Sequence, residues 1–239
     1  MINIVIPMAG MGKRFADVGY LDPKPFIPVK GKIMIERVLN NLHYKNARYI
    51  LIARKEHVEA RRDQVEYLQK KYNVIIEVVD RVTDGAACTV LKAHRHINNE
   101  TPLLIANSDQ IVDASIADFI DDCARRNLDG SILTFPSDHP KWSYAKTDEN
   151  GLVTEVREKV VISNKATVGI YLFSQGKDFV DGALDMISQA DKVNHEYYVC
   201  PIYNHLIKTG KKIGIFDISE DQMHGTGTPE DLELYSKLI

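Results

Sequence analysis

Apolar runs alternate with amphipathic stretches over the first 136 residues, and this alternation constrains the fold more than any other feature. The runs INIVI, RYILIA, NVIIEVV, PLLIA and GSILTF each predict a buried strand, and a segment with helical periodicity separates each run from the next. Continuous apolar strands are typical of parallel sheets, because the crossover helices bury both faces of the sheet. We therefore predict an α/β fold with a mostly parallel sheet covered on both sides by helices.

The pattern changes after about residue 136. The stretch WSYAKTDENGLVTEVREK predicts two strands joined at Asn150-Gly151, a strong hairpin signal. A strand over KATVGIYLF, helices near 176–190 and 197–209, a strand over KIGIFDI and a helix from Pro229 complete the chain. No linker rich in Pro, Gly or Ser separates the two parts. We predict one domain over 1–239, with a part at about 137–239 that elaborates the sheet begun at about 1–136.

Composition narrows the class of partner. The 239 residues carry a formal net charge of −3, which gives no indication of a nucleic-acid or membrane partner. No apolar run approaches the roughly 18 residues of a membrane span, and the N-terminus resembles no signal peptide. The three cysteines are scattered and form no CxxC pattern, which indicates free thiols. The expected location is the cytoplasm.

A glycine-lined, cationic loop follows the first strand. Gly10-Met11-Gly12 precedes Lys13 and Arg14, and Lys24 lies between two prolines. The loop does not match a P-loop, which needs GxxxxGK[ST], or the dinucleotide fingerprint GxGxxG. The glycines and prolines downstream predict that no helix follows promptly. The backbone N–H groups of such a turn approach phosphates closely, so a small anionic ligand is expected here.

Two further polar clusters follow buried strands. They are Thr83-Asp84-Gly85-Ala86 after the third strand and Asn107-Ser108-Asp109-Gln110 after the fourth. In parallel sheets ligands bind outside the carboxyl ends of the strands. We therefore predict that these clusters and the first loop meet in one site.

The motifs together resemble those of the nucleotidyltransferases that activate sugar phosphates, the nucleotide-sugar pyrophosphorylases. The signature is Gly10-x-Gly12-x-Arg14 followed by Pro23-Lys24-Pro25. Later matches, in the family's order, are Asp84-Gly85, Asp109, Glu158-Lys159, Val168-Gly169-Ile170-Tyr171 and the run GTGTPEDL. The resemblance implies a Rossmann-like αβα sandwich with a mostly parallel mixed sheet. It places nucleotide binding at about 1–136 and substrate binding at about 137–239.

The resemblance also implies an activity and the residues that perform it. Family members join a nucleoside triphosphate to a phosphorylated sugar or polyol and release pyrophosphate, often for surface polysaccharide precursors. Arg14 and Lys24 would be catalytic, Asp109 would hold Mg²⁺, and Glu158, Lys159 and Gly169 would bind the phosphorylated substrate. The nucleotide would contact Met8, Ala9, Gly10, Met11, Gly12, Lys13, Asp84, Gly85, Ala86, Asn107 and Ser108.

The chain departs from the family at the second metal ligand. Many members have an aspartate shortly before the final TPED-like segment, where this chain has Gly225. Asp217, Asp221 or a water molecule remain as replacements. The run GTGTPEDL could instead only cap the last helix, with Thr228 at the N-cap and Pro229 at the first helical position.

Two other functions stay open at the level of sequence. A glycosyltransferase of similar fold would use a nucleotide-sugar donor, although such enzymes usually carry Asp-x-Asp and this chain has Ser108-Asp109-Gln110. A nucleotide-binding regulatory protein without catalysis is the other alternative. The sequence does not identify the base, the phosphorylated acceptor, the pathway or the oligomeric state, a homo-oligomer included.

Overall fold

The computed structural model describes residues 1–239 as an alternation of strands and helices. The strands are β1 (Ile2–Pro7), β2 (Pro28–Val29), β3 (Lys32–Ile33), β4 (Ala47–Arg54), β5 (Ile75–Val79), β6 (Leu103–Ala106), β7 (Gln110–Val112), β8 (Gly130–Pro136), β9 (Ser143–Thr147), β10 (Val153–Glu158), β11 (Lys165–Phe173), β12 (Ile213–Asp217) and β13 (Met223–Gly225). The helices are α1 (Lys13–Ala16), α2 (Met34–Asn41), α3 (Lys55–Ala60), α4 (Arg62–Tyr72), α5 (Ala86–Val90), α6 (His94–Ile97), α7 (Ile116–Arg125), α8 (Gly176–Ser188), α9 (Ile202–Lys208) and α10 (Pro229–Leu238).

The first half of the chain forms the parallel part of a nine-stranded mixed sheet. Strands β6, β1, β4 and β5 are neighbours in this order and all run parallel. The chain adds β4 and β5 on one side of β1 and then returns to add β6 on the other side. The strand order therefore reverses between β1 and β6, which is the place where ligands bind in open parallel sheets.

The second half extends the same sheet with antiparallel strands. Strand β11 lies antiparallel to β6, β8 and β9, and β9 pairs with β10 as the hairpin predicted around Asn150-Gly151. Strand β12 adds to β8 in parallel orientation. The strands from both halves thus share one sheet, while the single domain and its boundary near residue 136 stay predictions.

Alternating side chains along the strands pack into two hydrophobic cores, one on each face of the sheet. In β1, Ile4 and Ile6 belong to one core and Val5 to the other. Helices α2, α4, α7 and α10 contribute to the first core, and α5, α8 and α9 contribute to the second. This arrangement confirms the predicted αβα sandwich and explains why the strands are apolar throughout.

Several predicted helix bounds are wrong. A one-turn helix, α1, follows Gly12 directly, although the sequence predicted none; it buries Phe15 and ends before Gly19, whose φ is +91°. The helix predicted near 197–209 begins only at Ile202, because the N–H of Tyr197 donates to the Asp84 carbonyl instead. Two of the helical segments between the first strands are also interrupted, at Arg61 and at Ala93.

The last helix begins as predicted. The Thr228 hydroxyl accepts the N–H of Asp231 at 3.1 Å, and Pro229 occupies the first helical position, where no N–H is needed. None of the helices combines the length and the apolar composition of a membrane span.

Candidate active site

A cleft of about 570 Å³ lies at the carboxyl ends of β1 and β6. It is where the strand order of the parallel sheet reverses, so the loops that leave β1 and β6 diverge around it. The predicted residues that line it are Met8, Gly10, Met11, Gly12, Lys13, Arg14, Lys24, Ala86, Asn107, Ser108 and Asp109. The structure therefore brings the three polar clusters together, as the strand pattern predicted.

The two glycines of the loop have different roles. Gly10 has no atom within 4 Å of the position that a side chain would take, so its backbone is open to a ligand. Gly12 has a φ of +62°, and a Cβ there would lie 3.3 Å from the Cβ of Lys24. The positive φ and the close packing both require glycine. Gly12 thereby lets Lys24 approach the loop.

Lys24 and Asp109 form an ion pair in the cleft. The ammonium group contacts Asp109 Oδ2, and the two side chains are only 18% and 20% exposed. Thr226 fixes the backbone of Asp109, because its N–H and its hydroxyl both donate to the Asp109 carbonyl, at 2.8 and 3.0 Å. Gly227, which follows Thr226, also lines the cleft. The run GTGTPEDL thus packs against the site as well as capping α10.

The donor set at Asp109 fits a magnesium ion that takes most of its ligands from phosphate and water. Mg²⁺ is commonly held by one or two carboxylates together with substrate phosphates. No group of three His, Cys, Asp or Glu side chains in the structure is placed to hold a metal, so a metal at Asp109 would have at most one further ligand of these types. The missing side chain of Gly227, whose Cβ would lie 3.1 Å from Asp109 Oδ2, leaves space beside the carboxylate.

The candidates for a second metal ligand do not reach this carboxylate. Asp217 accepts hydrogen bonds from Thr134 and Lys165 on the β8–β11–β12 side of the sheet, each at 2.7 Å. Neither Asp217 nor Asp221 lines the cleft. Gly225 lies in β13, where a Cβ would be 3.7 Å from Asp231 rather than against Asp109. Neither aspartate gains support from the lining of the cleft, so the replacement of the missing ligand by either one stays a prediction.

The Asp84-Gly85 turn anchors a neighbouring segment. The Asp84 carbonyl accepts the N–H of Tyr197 at 2.7 Å, and Lys192 donates to the Asp84 carboxylate at 3.1 Å. A Cβ on Gly85, whose φ is +112°, would lie 2.5 Å from the Tyr197 carbonyl oxygen. Close packing against this backbone explains the glycine, and the expected stacking of a base on it stays a prediction.

Gly169 lies in β11, beside the segment that follows β6. Its φ is +92°, and a Cβ would lie 2.3 Å from the side-chain nitrogen of Asn107. Its carbonyl also accepts the N–H of Asn107 at 2.9 Å. Gly169 therefore positions Asn107, a predicted nucleotide contact, and its own contact with substrate stays a prediction.

Glu158 and Lys159 occupy the end of β10. Glu158 is 8% exposed and accepts a hydrogen bond from the Ser143 hydroxyl. Burial raises the pKa of this carboxyl, the Ser143 hydrogen bond and the Lys159 charge oppose that shift, and the Glu196 charge adds to it. Lys159 is exposed, and its ammonium donates to the Tyr198 hydroxyl at 3.0 Å. The end of β10 therefore carries one acidic and one basic side chain, and the basic one contacts Tyr198.

Not all predicted residues face the cleft, and some that do were not predicted. Those outside its lining are Ala9, Asp84, Gly85, Glu158, Lys159 and Gly169. Ala9 packs into a hydrophobic core, so only its backbone is available to a ligand. Glu196 and Gly227 also line the cleft and were not among the predicted site residues, although the motif before the last helix contained a signal for Gly227.

Comparison with known proteins places most of the chain within one family. Residues 4–219 match the family profile described as nucleotidyl transferase. Over 179 residues the chain is 25% identical to the mannose-1-phosphate guanylyltransferase catalytic subunit beta of Dictyostelium discoideum, an alignment that covers 72% of this chain and 50% of that protein. Over 175 residues it is 26% identical to the bifunctional protein GlmU of Methanococcus aeolicus, covering 72% and 40%. The chain thus spans half or less of the length of these curated relatives.

A solved structure shows the same fold over the full chain. The nucleoside-diphosphate-sugar pyrophosphorylase from Vibrio cholerae RC9 superposes with a TM-score of 0.85 at 24% sequence identity. The superposition covers 98% of this chain and 99% of that one. The likeness confirms the Rossmann-like nucleotidyltransferase fold.

Proposed function

This chain belongs to the nucleotidyl transferase family, and we propose that it transfers the nucleotidyl group of a nucleoside triphosphate to a phosphorylated sugar or polyol. An oxygen of the acceptor phosphate attacks the α-phosphorus. The bond from the α-phosphorus to the oxygen that bridges to the β-phosphorus breaks, and pyrophosphate leaves with that electron pair. The acceptor phosphate is already ionised near pH 7, so catalysis depends on positioning and on charge rather than on a base.

The observation that carries the proposal is the set of cations around one cleft. Lys13, Arg14 and Lys24 all line it, on a loop whose Gly10 backbone is open. Arg14 is exposed and can hold the triphosphate with two parallel hydrogen bonds. Lys24 is held in the cleft by Asp109 and by flanking prolines, so its charge is fixed before substrate binds. Both anionic reactants need such charge to approach each other.

A magnesium ion that arrives bound to the triphosphate fits this arrangement. When bound, it would neutralise phosphate charge beside the α-phosphorus. Asp109 would bind it, and Thr226 would keep the Asp109 backbone in place through its two hydrogen bonds. The remaining predicted nucleotide contacts, including Asn107 and Ser108, lie on the same segment as Asp109.

The product class indicates a use. A nucleotide-activated sugar or polyol is a donor for glycan assembly, and we propose surface polysaccharide precursors as the destination. The similar proteins, a guanylyltransferase for mannose 1-phosphate and a nucleoside-diphosphate-sugar pyrophosphorylase, support sugar activation in general.

A thermal-shift panel followed by a pyrophosphate assay tests the proposal. CTP, UTP, dTTP, GTP and ATP are each added with Mg²⁺, and a ligand at 100 times its Kd stabilises by about 2.7 kcal/mol. The triphosphate with the largest shift is then incubated with phosphorylated sugars and polyols. Pyrophosphate release that requires the acceptor is the expected result. Binding without turnover for every acceptor would support a regulatory protein, and turnover of nucleotide-sugars alone would support a glycosyltransferase.

A further inference from the structure

The acceptor end of the cleft differs in charge from the nucleotide end. Glu196 lines the cleft together with Arg14, Lys24 and Asp109, so it connects the two ends. Glu196 and Tyr198 flank Tyr197, whose backbone is fixed to the turn at Asp84. The Tyr198 hydroxyl in turn accepts from Lys159 at 3.0 Å. Glu196, Tyr198, Lys159 and Glu158 thus form a group that adjoins the cleft lining at Glu196.

The carboxylates in this region outnumber the cations. Glu158 and Glu196 are close enough for the charge of Glu196 to contribute to the raised pKa of Glu158. Lys159 is the one cation of the group, and Ser143 already donates its hydroxyl to Glu158. Lys192, the nearby lysine, is engaged with the Asp84 carboxylate. A second anionic group on the acceptor would be repelled here, whereas a cation would be attracted.

A buried hydrogen-bond acceptor without a partner also indicates that the ligand carries donor groups. Gln110 is 9% exposed, and its side-chain oxygen is buried without a hydrogen-bond partner. The oxygen lies 3.0 Å from the position that a Cβ on Gly169 would take, so it faces the surface of Gly169 predicted to meet substrate. A buried polar atom without a partner destabilises the protein, and a donor on the ligand would relieve that cost. The ligand is therefore expected to bring N–H or O–H donors to the surface beside Gly169.

We propose that the acceptor is a phosphomonoester that also carries a protonated amine, with its phosphate toward Lys24 and its ammonium group toward Glu196 and Glu158. The inference rests on the proposed nucleotidyl transfer and specifies its substrate class. The reaction at phosphorus is unchanged, because the ammonium group binds and does not react. The separated charges of the cleft, cationic at the loop and acidic at the hairpin, match such a zwitterion.

Matched pairs of acceptors test the inference. With the triphosphate identified by thermal shift, pyrophosphate release is measured for glucosamine 1-phosphate against glucose 1-phosphate and N-acetylglucosamine 1-phosphate. Ethanolamine phosphate against 2-hydroxyethyl phosphate forms the second set. We expect the amine to exceed its neutral partner by about tenfold in kcat/KM in at least one set, the scale of one charge-assisted hydrogen bond.

The Glu196→Gln variant tests whether Glu196 causes the preference for acceptors that carry an amine. It keeps the size of the side chain and removes its charge, so the ratio of amine to neutral acceptor should fall about fivefold or more. Glu233→Gln is the matched control, because Glu233 is exposed on α10 and pairs only with Lys237, and it should retain the ratio.

The outcomes separate the inference from the function on which it rests. Neutral acceptors that match or exceed the amines would overturn the inference while leaving nucleotidyl transfer intact. An amine preference that survives Glu196→Gln would overturn the assignment to this end of the cleft. Absence of pyrophosphate with every acceptor, neutral ones included, would contradict the proposed function and the inference with it.

Discussion

The two ends of the cleft are built from different kinds of structure. The nucleotide end uses loops that leave the parallel strands β1 and β6, and its side chains are mostly cationic. The predicted acceptor end uses the antiparallel hairpin β9–β10, the strand β11 and the turn at 193–196, and its two carboxylates are those of Glu158 and Glu196. We therefore propose that the parallel half supplies a generic phosphate site and that the antiparallel elaboration distinguishes one acceptor from another.

Removing a cation from the nucleotide end should have the largest effect. Lys24→Ala deletes a fixed charge beside the α-phosphate and leaves the Asp109 carboxylate without its partner. We expect kcat/KM to fall by about 10²–10³-fold, with Arg14→Ala at least about 10²-fold. Pyrophosphate release under steady-state conditions measures both variants.

A lysine outside the site is the control for this prediction. Lys237→Ala removes an exposed residue that pairs with Glu233 on α10, and such pairs contribute little. Turnover by Lys24→Ala at the level of Lys237→Ala would show that the cleft is not the catalytic site.

Alanine substitutions at Gly169 and at Gly10 should differ in their effect on the free energy of unfolding. Gly169→Ala must accommodate a φ of +92° and a Cβ 2.3 Å from the Asn107 side chain, so it should lose about 2 kcal/mol or more of unfolding free energy. Gly10→Ala meets no atom within 4 Å and should unfold within about 0.5 kcal/mol of the wild type. Denaturant unfolding of both variants measures the difference.

Gly10→Ala, the variant expected to keep its stability, should instead lose affinity for the triphosphate. Gly10→Ala covers the backbone that is open to phosphate, so it should weaken triphosphate binding in the thermal-shift assay although the protein stays folded. Equal triphosphate shifts in Gly10→Ala and the wild type would mean that phosphate does not approach this backbone.

A charge removed from the acceptor end should have a smaller and more selective effect. Lys159→Ala should raise the KM for the acceptor by about tenfold, because one exposed cation contributes a single charge-assisted contact. The thermal shift caused by the triphosphate alone should stay near that of the wild type. A loss of triphosphate binding would instead place Lys159 at the nucleotide end.

The smallest expected effect is the contribution of Glu158 to the pH dependence of stability. Burial raises the pKa of its carboxyl, so the folded state favours the protonated form. The associated stability is complete below the unfolded pKa, about 4.3, and is lost as pH rises through the folded value. Glu158→Gln, which can still accept from Ser143, should therefore raise the Tm at pH 7 by about 2 °C. The gain should vanish below about pH 4, and a gain that is independent of pH would contradict the assignment.

The nucleotide end was predictable from sequence because local signals determine it. Gly10, Gly12 and Asp109 follow apolar runs, and parallel strands end at one edge, so their meeting in space follows from the pattern. The acceptor end depends on contacts between distant segments. Glu196 follows a turn whose central residues, Asn194 and His195, adopt positive φ without glycine, so no turn signal marked it.

Tyr197 explains two features that the sequence did not predict. Its backbone, more than a hundred residues away along the chain, fills the space beside Gly85. The helix predicted over 197–209 loses its first residues to the same segment, which hydrogen-bonds to the Asp84 turn instead. Tertiary packing overrides local periodicity where a distant backbone supplies the hydrogen bonds.

The stoichiometry of products tests the central claim most directly. Phosphorus-31 NMR of the protein with Mg²⁺, the preferred triphosphate and an acceptor phosphomonoester resolves all products in one sample. Nucleotidyl transfer predicts pyrophosphate and a new nucleotide diester of the acceptor in equal amounts, and neither when the acceptor is omitted. Nucleoside diphosphate with free phosphate, or pyrophosphate formed without the acceptor, would contradict transfer to a phosphorylated acceptor.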